Sequence, residues 1–205
     1  MKSIRTIVAV VFSLACGFAF AGEFAVLAGA AVTCTGSTVK GDVGLANVGT
    51  ITNTLCSITG ATEEGTAVAQ AAYDVDFLNE YSNLRTSPNC DFNNVPLAGA
   101  FLSPGVYCYD AAVSVTGGTL TLVGSATDTW IFRIGTRGTG ALTGTNFTVV
   151  MSSGETCNDN VIWWTAEAAT MTDSVFIGSI LAGADITVTR GSVDEIGRAS
   201  CRERV

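Results

Sequence analysis

From Val106 onward the chain returns again and again to sets of three short segments, and a repeat of that kind leaves few folds open to it. Residues 106–109, 130–134, 161–164 and 180–182 are apolar at nearly every position. Residues 113–116, 141–143, 169–172 and 186–189 alternate apolar residues with Ser or Thr, and residues 119–122, 147–150, 174–177 and 192–193 make a third, less regular row. Glycine and polar residues separate the segments, which is the punctuation of strands and turns. Three strands per repeat, with equivalent strands stacked along an axis, predict a mainly β fold: a three-faced (triangular) parallel β-solenoid in which each row forms one face. The repeat spacing is uneven, and the polar stretch 152–160 lengthens one turn, so a β-sandwich or jelly roll is the structural alternative.

One segment departs from this pattern. Over residues 62–85, Val68, Ala71, Ala72, Val75, Leu78 and Leu84 recur at helical spacing, with Thr62 placed to cap the N-terminus. Glu63 and Glu64 fall in the first turn and Arg85 in the last, where the helix dipole favours each sign, and Thr86-Ser87-Pro88 then stops the helix. The first row is apolar on both sides of its strands, so its outer surface needs cover. One long amphipathic helix packed along that face is the predicted solution.

Residues 1–21 have the layout of a secretory signal peptide: Lys2 and Arg5, an apolar run from Ile7 to Phe20, and Ala19-Phe20-Ala21 as a small-x-small cleavage site. The folded domain is then expected over 22–199, secreted and extracellular. In an oxidising compartment the remaining cysteines tend to pair. Their spacings match neither a zinc cluster nor a redox CxxC motif, and Cys34 with Cys56 and Cys90 with Cys108 are the pairings we expect, although spacing alone does not exclude others. Removing Lys2 and Arg5 from the 10 basic residues leaves 8 against 18 acidic ones, a formal charge of −10. That balance argues against nucleic acid or an anionic membrane as partner.

The second row carries the chemistry. If Val113, Val115, Leu142, Met171, Ile186 and Val188 point inward, then Ser114, Thr116, Thr143, Thr170, Thr172, Thr187 and Thr189 point outward. Alternate residues of a strand lie about 6.5 to 7 Å apart and stacked strands about 4.8 Å apart, so these side chains would form a flat grid whose spacings approach the repeats of an ice surface. Each threonine offers a methyl group that constrains neighbouring water and a hydroxyl that bonds it. Threonine is also a good β-former on any solvated strand, which is the plainer reading of the same residues. The third row has Thr119, Thr121 and Thr148 but is interrupted by Val150, Phe176 and Asp194.

Six motifs in order span most of the chain: Phe24-Ala25-Val26-Leu27-Ala28-Gly29, Gly41-Asp42-Val43-Gly44, Leu102-Ser103-Pro104-Gly105-Val106-Tyr107, Thr119-Leu120-Thr121-Leu122, Trp130-Ile131-Phe132-Arg133-Ile134-Gly135 and Gly178-Ser179-Ile180-Leu181-Ala182. Together they resemble the microbial ice-binding (antifreeze) proteins. The resemblance implies a discontinuous β-solenoid with a long helix beside it, and adsorption to ice by one flat face. It also implies that Thr33 and Thr35 join the second row, because in the family the N-terminal strands stack near the C-terminal coil. It ends at Gly197-Arg198-Ala199: residues 200–205 are basic, lack strand periodicity and read as a truncation or sequence artefact.

No catalytic, cofactor or metal site is expected. The absence of histidine removes His-based triads and His-ligated metals. Asn158-Asp159-Asn160 reads as a polar turn before it reads as a calcium loop, and Asn146-Phe147-Thr148 is a glycosylation sequon that also suits a plain strand start. The expectation is thus a monomeric, non-enzymatic protein whose partner is the ice crystal surface, with no cofactor. The alternative is a secreted adhesin or matrix module that binds a polymer or cell surface. A polysaccharide lyase, also built on a solenoid, would need clustered charges that the scattered arginines do not supply.

Overall fold

The computed structural model describes residues 24–28, 31–46, 49–125, 127–153 and 160–194. The expected signal peptide, Cys16, Cys157, Cys201, Asn158-Asp159 and the atypical tail lie outside the described residues.

Among the described residues every strand pairing is parallel, and the three rows become three sheets. The first sheet runs Thr62–Glu64, Asp42–Leu45, Phe24–Ala28, Ser179–Ala182, Val161–Thr165, Trp130–Ile134, Gly105–Tyr109, Phe92–Asn93. The second runs Val113–Thr116, Leu142–Thr145, Ala169–Thr172, Ile186–Thr189, Ala31–Thr35, Thr50–Thr54. The third runs Ser57–Ile58, Thr38–Lys40, Ser192–Asp194, Val175–Ile177, Thr148–Met151, Thr119–Leu122, Phe101–Leu102. In each sheet the last coil of the chain stacks on the first, so the solenoid is discontinuous in sequence. The helix that follows Glu64 carries the chain from one end of the stack to the other, where Phe92–Asn93 opens the remaining coils.

Inside the triangle, aromatic rings of the first sheet stack from coil to coil. Phe92 lies 4.8 Å from Tyr107, Tyr107 5.4 Å from Phe132, and Phe132 4.0 Å from Trp163, near parallel at each step. Parallel in-register strands place like side chains above one another, so each ring finds the next. The indole N–H groups of Trp130 and Trp163 donate to the carbonyls of Leu102 and Ile177, which pays for their burial. At the corner between the third and first sheets Gly178 has φ +92°, and a Cβ there would lie 2.1 Å from the Val161 carbonyl oxygen; only glycine fits.

The helix covers the outer side of the first sheet as expected, where Val106, Cys108, Ile131, Ile162, Trp164 and Leu181 are buried against Phe77 and Leu84. Its start and its buried stripe differ from expectation. Thr62–Glu64 is an edge strand of the first sheet, and the helix begins at Ala67 with Thr66 as N-cap, its hydroxyl accepting the Ala69 N–H. It then runs as α (Ala67–Ala71), π (Ala72–Phe77) and α (Leu78–Thr86). The wider π turn rotates less per residue than an α turn, so residues four apart stay aligned: Tyr73 stacks on Phe77 at 4.7 Å and Phe77 on Tyr81 at 5.5 Å. Ala69, Ala72, Phe77 and Leu84 are buried, whereas Val68, Ala71, Val75 and Leu78 of the expected stripe are exposed.

Two contacts fix the helix at its C-terminal half. The Trp164 indole N–H donates to the Tyr81 carbonyl at 2.9 Å, and the Tyr81 hydroxyl donates back to the Thr165 carbonyl at 2.9 Å. Arg133, on the outer side of the first sheet, donates to the carbonyl of Arg85 in the last helical turn, which the helix leaves free, and to that of Pro88 just beyond it. Burial holds the Arg133 guanidinium below its ordinary pKa. The expected disulfides are present: Cys90–Cys108 ties the segment after the helix to the first sheet, and Cys34–Cys56 ties the two N-terminal coils together.

Candidate functional site

The second sheet is six parallel strands in continuous register. Its inward residues, Val32, Cys34, Val115, Leu142, Ala169, Met171, Ile186 and Val188, are buried and stack in register from strand to strand. Gly144 takes one inward position, and the Phe176 ring reaches across from the third sheet to fill the space beneath it, so that a Cβ there would lie 3.0 Å away. Phe176 is fully buried between Phe147 and Trp163, at 5.7 and 5.2 Å. It thus supports the second face and does not interrupt the third, contrary to expectation.

Strand register sorts the outward residues into two columns. One reads Ser114, Thr143, Thr170, Thr187, Thr33, Thr52; the other reads Thr116, Thr145, Thr172, Thr189, Thr35, Thr54. All nine residues expected from the sequence stand in these columns, including Thr33 and Thr35. Thr145, Thr52 and Thr54 complete them. Thr145 was missed because Gly144 breaks the apolar alternation that marks a strand. Thr52 and Thr54 were missed because Asn53 occupies the inward position between them, although Thr50-x-Thr52-x-Thr54 was itself an alternating signal. No charged or long side chain enters either column. The inner threonines are half-buried by their neighbours, and those at both ends are exposed.

The rim of the face is equally regular. Directly after the second column, Gly117, Asn146, Asp173, Arg190, Gly36 and Leu55 all have positive φ, turning each coil onto the third face at the same point. Arg190 donates two hydrogen bonds to the Asp173 carboxylate, at 2.7 and 2.8 Å, across adjacent coils. These bonds hold the Asp173 carboxyl below its usual pKa and the Arg190 guanidinium above its own. Beneath the corner, the Ser174 hydroxyl donates to the Thr172 carbonyl and accepts the Phe147 N–H; Ser37 does the same between the Thr35 carbonyl and the Gly191 N–H. The coils are thereby locked in angle as well as in register.

Among the described residues, the other two faces carry no pair of unbroken hydroxyl columns. The helix covers the first. On the third, Val175 sits between Ser192 and Thr148 in the outer column, Val150 is half-buried, and Phe101 projects at the end coil with 75% of its surface exposed.

Comparison with known proteins agrees with this geometry. The crystal structure of an ice-binding protein from the Antarctic ascomycete Antarctomyces psychrotrophicus superposes with a TM-score of 0.70 at 22% identity, covering 88% of this chain and 98% of that one, and shares the fold. An ice-binding protein from an Antarctic Flavobacteriaceae bacterium superposes with a TM-score of 0.64 at 28% identity, over 86% of this chain and 46% of that one. In sequence, an ice-binding protein of Nostoc sp. is 32% identical over 183 residues, 87% of this chain and 66% of its own length. The chain spans between half and two thirds of the length of the curated relatives it matches. The family description "Ice-binding-like" matches residues 26–205, nearly the whole span in which the coils, the helix and the threonine columns were found, and the chain belongs to that family.

Proposed function

We propose that this protein adsorbs to ice through the flat threonine face of its second sheet, and that it thereby inhibits ice growth and recrystallisation without catalysing a reaction. The observation that carries the reading is the pair of unbroken columns, twelve hydroxyl side chains in register on six parallel strands. Side chains about 6.6 Å apart along a strand and about 4.8 Å between strands hold water at nearly crystalline intervals. Methyl groups keep that water from collapsing onto the backbone, and hydroxyls anchor it, so an ordered layer can merge with the growing crystal. Rigidity matters because a mobile array would have to be ordered at the moment of contact, at an entropic cost that the packed core has already met.

The protein acts as a secreted monomer. The N-terminal apolar run with its cleavage motif fits export, and the two disulfides fit an oxidising compartment. A monomer suffices, because one chain presents the whole grid.

Single ice crystals grown in the purified protein test the reading. Thr172→Tyr and Thr189→Tyr place a bulky ring in the middle of the second column, and both are expected to lose most of the thermal hysteresis while keeping the wild-type melting temperature. Unchanged hysteresis in both folded variants would reject this face as the contact surface.

A further inference from the structure

The outward surface of the second face is wider than its two hydroxyl columns. Two residues before the first column each coil has another position on the same side: Thr50, Ala31, Asp185, Ala168, Ala141 and Ala112, in order along the stack. Ala31 pairs with Thr50, and the pairing of Val32 with Ile186 sets Ala31 beside Asp185. The ladder continues as the Ala169 N–H donates to the Asp185 carbonyl, the Leu142 N–H to Ala168, and the Val113 N–H to Ala141. Five of these six side chains are small and uncharged. Asp185 is exposed, stands in the central part of the stack, and forms no ion pair among the described residues.

Resting on the reading of this face as the ice-contact surface, we propose that Asp185 is a residue that limits how strongly the face holds ice. It is the one acidic side chain in the three outward columns. Ice excludes ions, and a carboxylate brought against the crystal either gives up part of its hydration or keeps the crystal away, both of which cost free energy. Its oxygens only accept hydrogen bonds, so they turn nearby water hydrogens toward themselves and oppose the lattice order that the threonines impose. The Asp173–Arg190 pair differs in both respects: it lies beyond the columns, at the turn, and its charges are satisfied by each other. Since only the backbone of Asp185 serves the ladder, replacing its side chain leaves the coil intact.

Asp185→Asn removes the charge at nearly constant size, Asp185→Ala restores the small residue found in neighbouring coils, and Asp185→Glu keeps the charge. At equal molar concentration the Asn and Ala variants are expected to show higher thermal hysteresis than wild type with unchanged melting temperature, and the Glu variant no rise. Hysteresis at or below the wild-type level in the folded Asn and Ala variants overturns the proposal, as does an equal rise in the Glu variant. Thr172→Tyr and Thr189→Tyr measured alongside separate the two ideas. If they lose activity while the Asp185 variants do not gain, only the role of Asp185 falls; if they too are unaffected, the face itself is wrong.

Discussion

Thr189 and Thr35 stand opposite each other on neighbouring parallel strands, although Thr189 belongs to the last coil of the chain and Thr35 to the first. The Arg190 N–H donates to the Thr35 carbonyl at 2.7 Å, so the hydroxyl columns cross the junction between the chain's two ends without a break. The proposed contact surface is thus completed by residues that meet only when the N-terminal coils have docked.

A ring placed at this junction should act like one placed in the middle of the repeat. Thr35→Tyr is expected to reduce hysteresis as much as Thr172→Tyr. Thr54→Tyr, on the outermost strand, should cost less, because ice can still meet the remaining five strands. Equal losses from Thr54→Tyr and Thr35→Tyr would show that activity does not depend on central position.

Thr145 makes the same argument for a residue that the repeat pattern concealed. It lies between Thr116 and Thr172 in the second column. Thr145→Tyr should therefore lower hysteresis to the level of Thr172→Tyr with no change in melting temperature; wild-type activity would break the column as drawn.

Removal of the Cys34–Cys56 bridge should destabilise the N-terminal coils. The cysteines are 22 residues apart in sequence, and closing a loop of that size is worth about 3 kcal/mol. The Cys34→Ala/Cys56→Ala double variant is expected to lose roughly that much in denaturant unfolding, and to lose hysteresis at temperatures where the outer coil opens. Stability within about 0.5 kcal/mol of wild type contradicts this.

Trp164 joins the helix to the first sheet through its packing and its bond to the Tyr81 carbonyl. Trp164→Ala removes a fully buried indole and should cost about 3 to 5 kcal/mol, read from denaturant midpoints. The hysteresis of the fraction that remains folded should be unaffected, since the helix lies on a different face from the threonines.

Ice activity should be flat across neutral pH, because the chain has no histidine. At the acid end Asp173 has a depressed pKa from its hydrogen bonds with Arg190, so its contribution is present above the unfolded value of 3.8 and is lost as pH falls through the lower folded value. Both groups are exposed, and the loss should be small. At the alkaline end Tyr73, Tyr81, Tyr107 and Tyr109 are all raised above 10.0, chiefly by burial. Above pH 10 the unfolded chain releases protons that the folded chain keeps, and stability should fall as pH rises toward the folded values. Melting temperature against pH checks both limbs; a transition between pH 5 and 9 contradicts them.

Strand period made much of this architecture legible. Alternation in the second row identified which residues face out, because the pleat sends successive side chains to opposite sides whatever lies around them. The double-sided apolar first row called for a cover and identified the helix as that cover. Reading failed where local pattern and local structure part company. Thr62–Glu64 looks like a helix start but pairs with Asp42–Leu45, since the unpaired edge of the first sheet offers that segment hydrogen bonds which a frayed helical turn does not. The apolar stripe containing Val68, Val75 and Leu78 was drawn on a period of 3.6, and the π turn shifts the helix onto Tyr73, Phe77 and Tyr81. Phe176 interrupts the third row as a sequence, but its register with buried Val193 turns it inward, where it fills the space beneath Gly144.

The order of hydrophobic and hydroxyl residues along each coil favoured a stacked three-faced fold with a threonine face over a sandwich or jelly roll, because pleat and repeat are properties of the backbone. The union of the N-terminal and C-terminal coils, the alignment of Thr52, Thr54 and Thr145 with the columns, and the helix phase all came from packing. Those features depend on which distant surfaces meet and fill one another's gaps, and short-range periodicity carries no record of that.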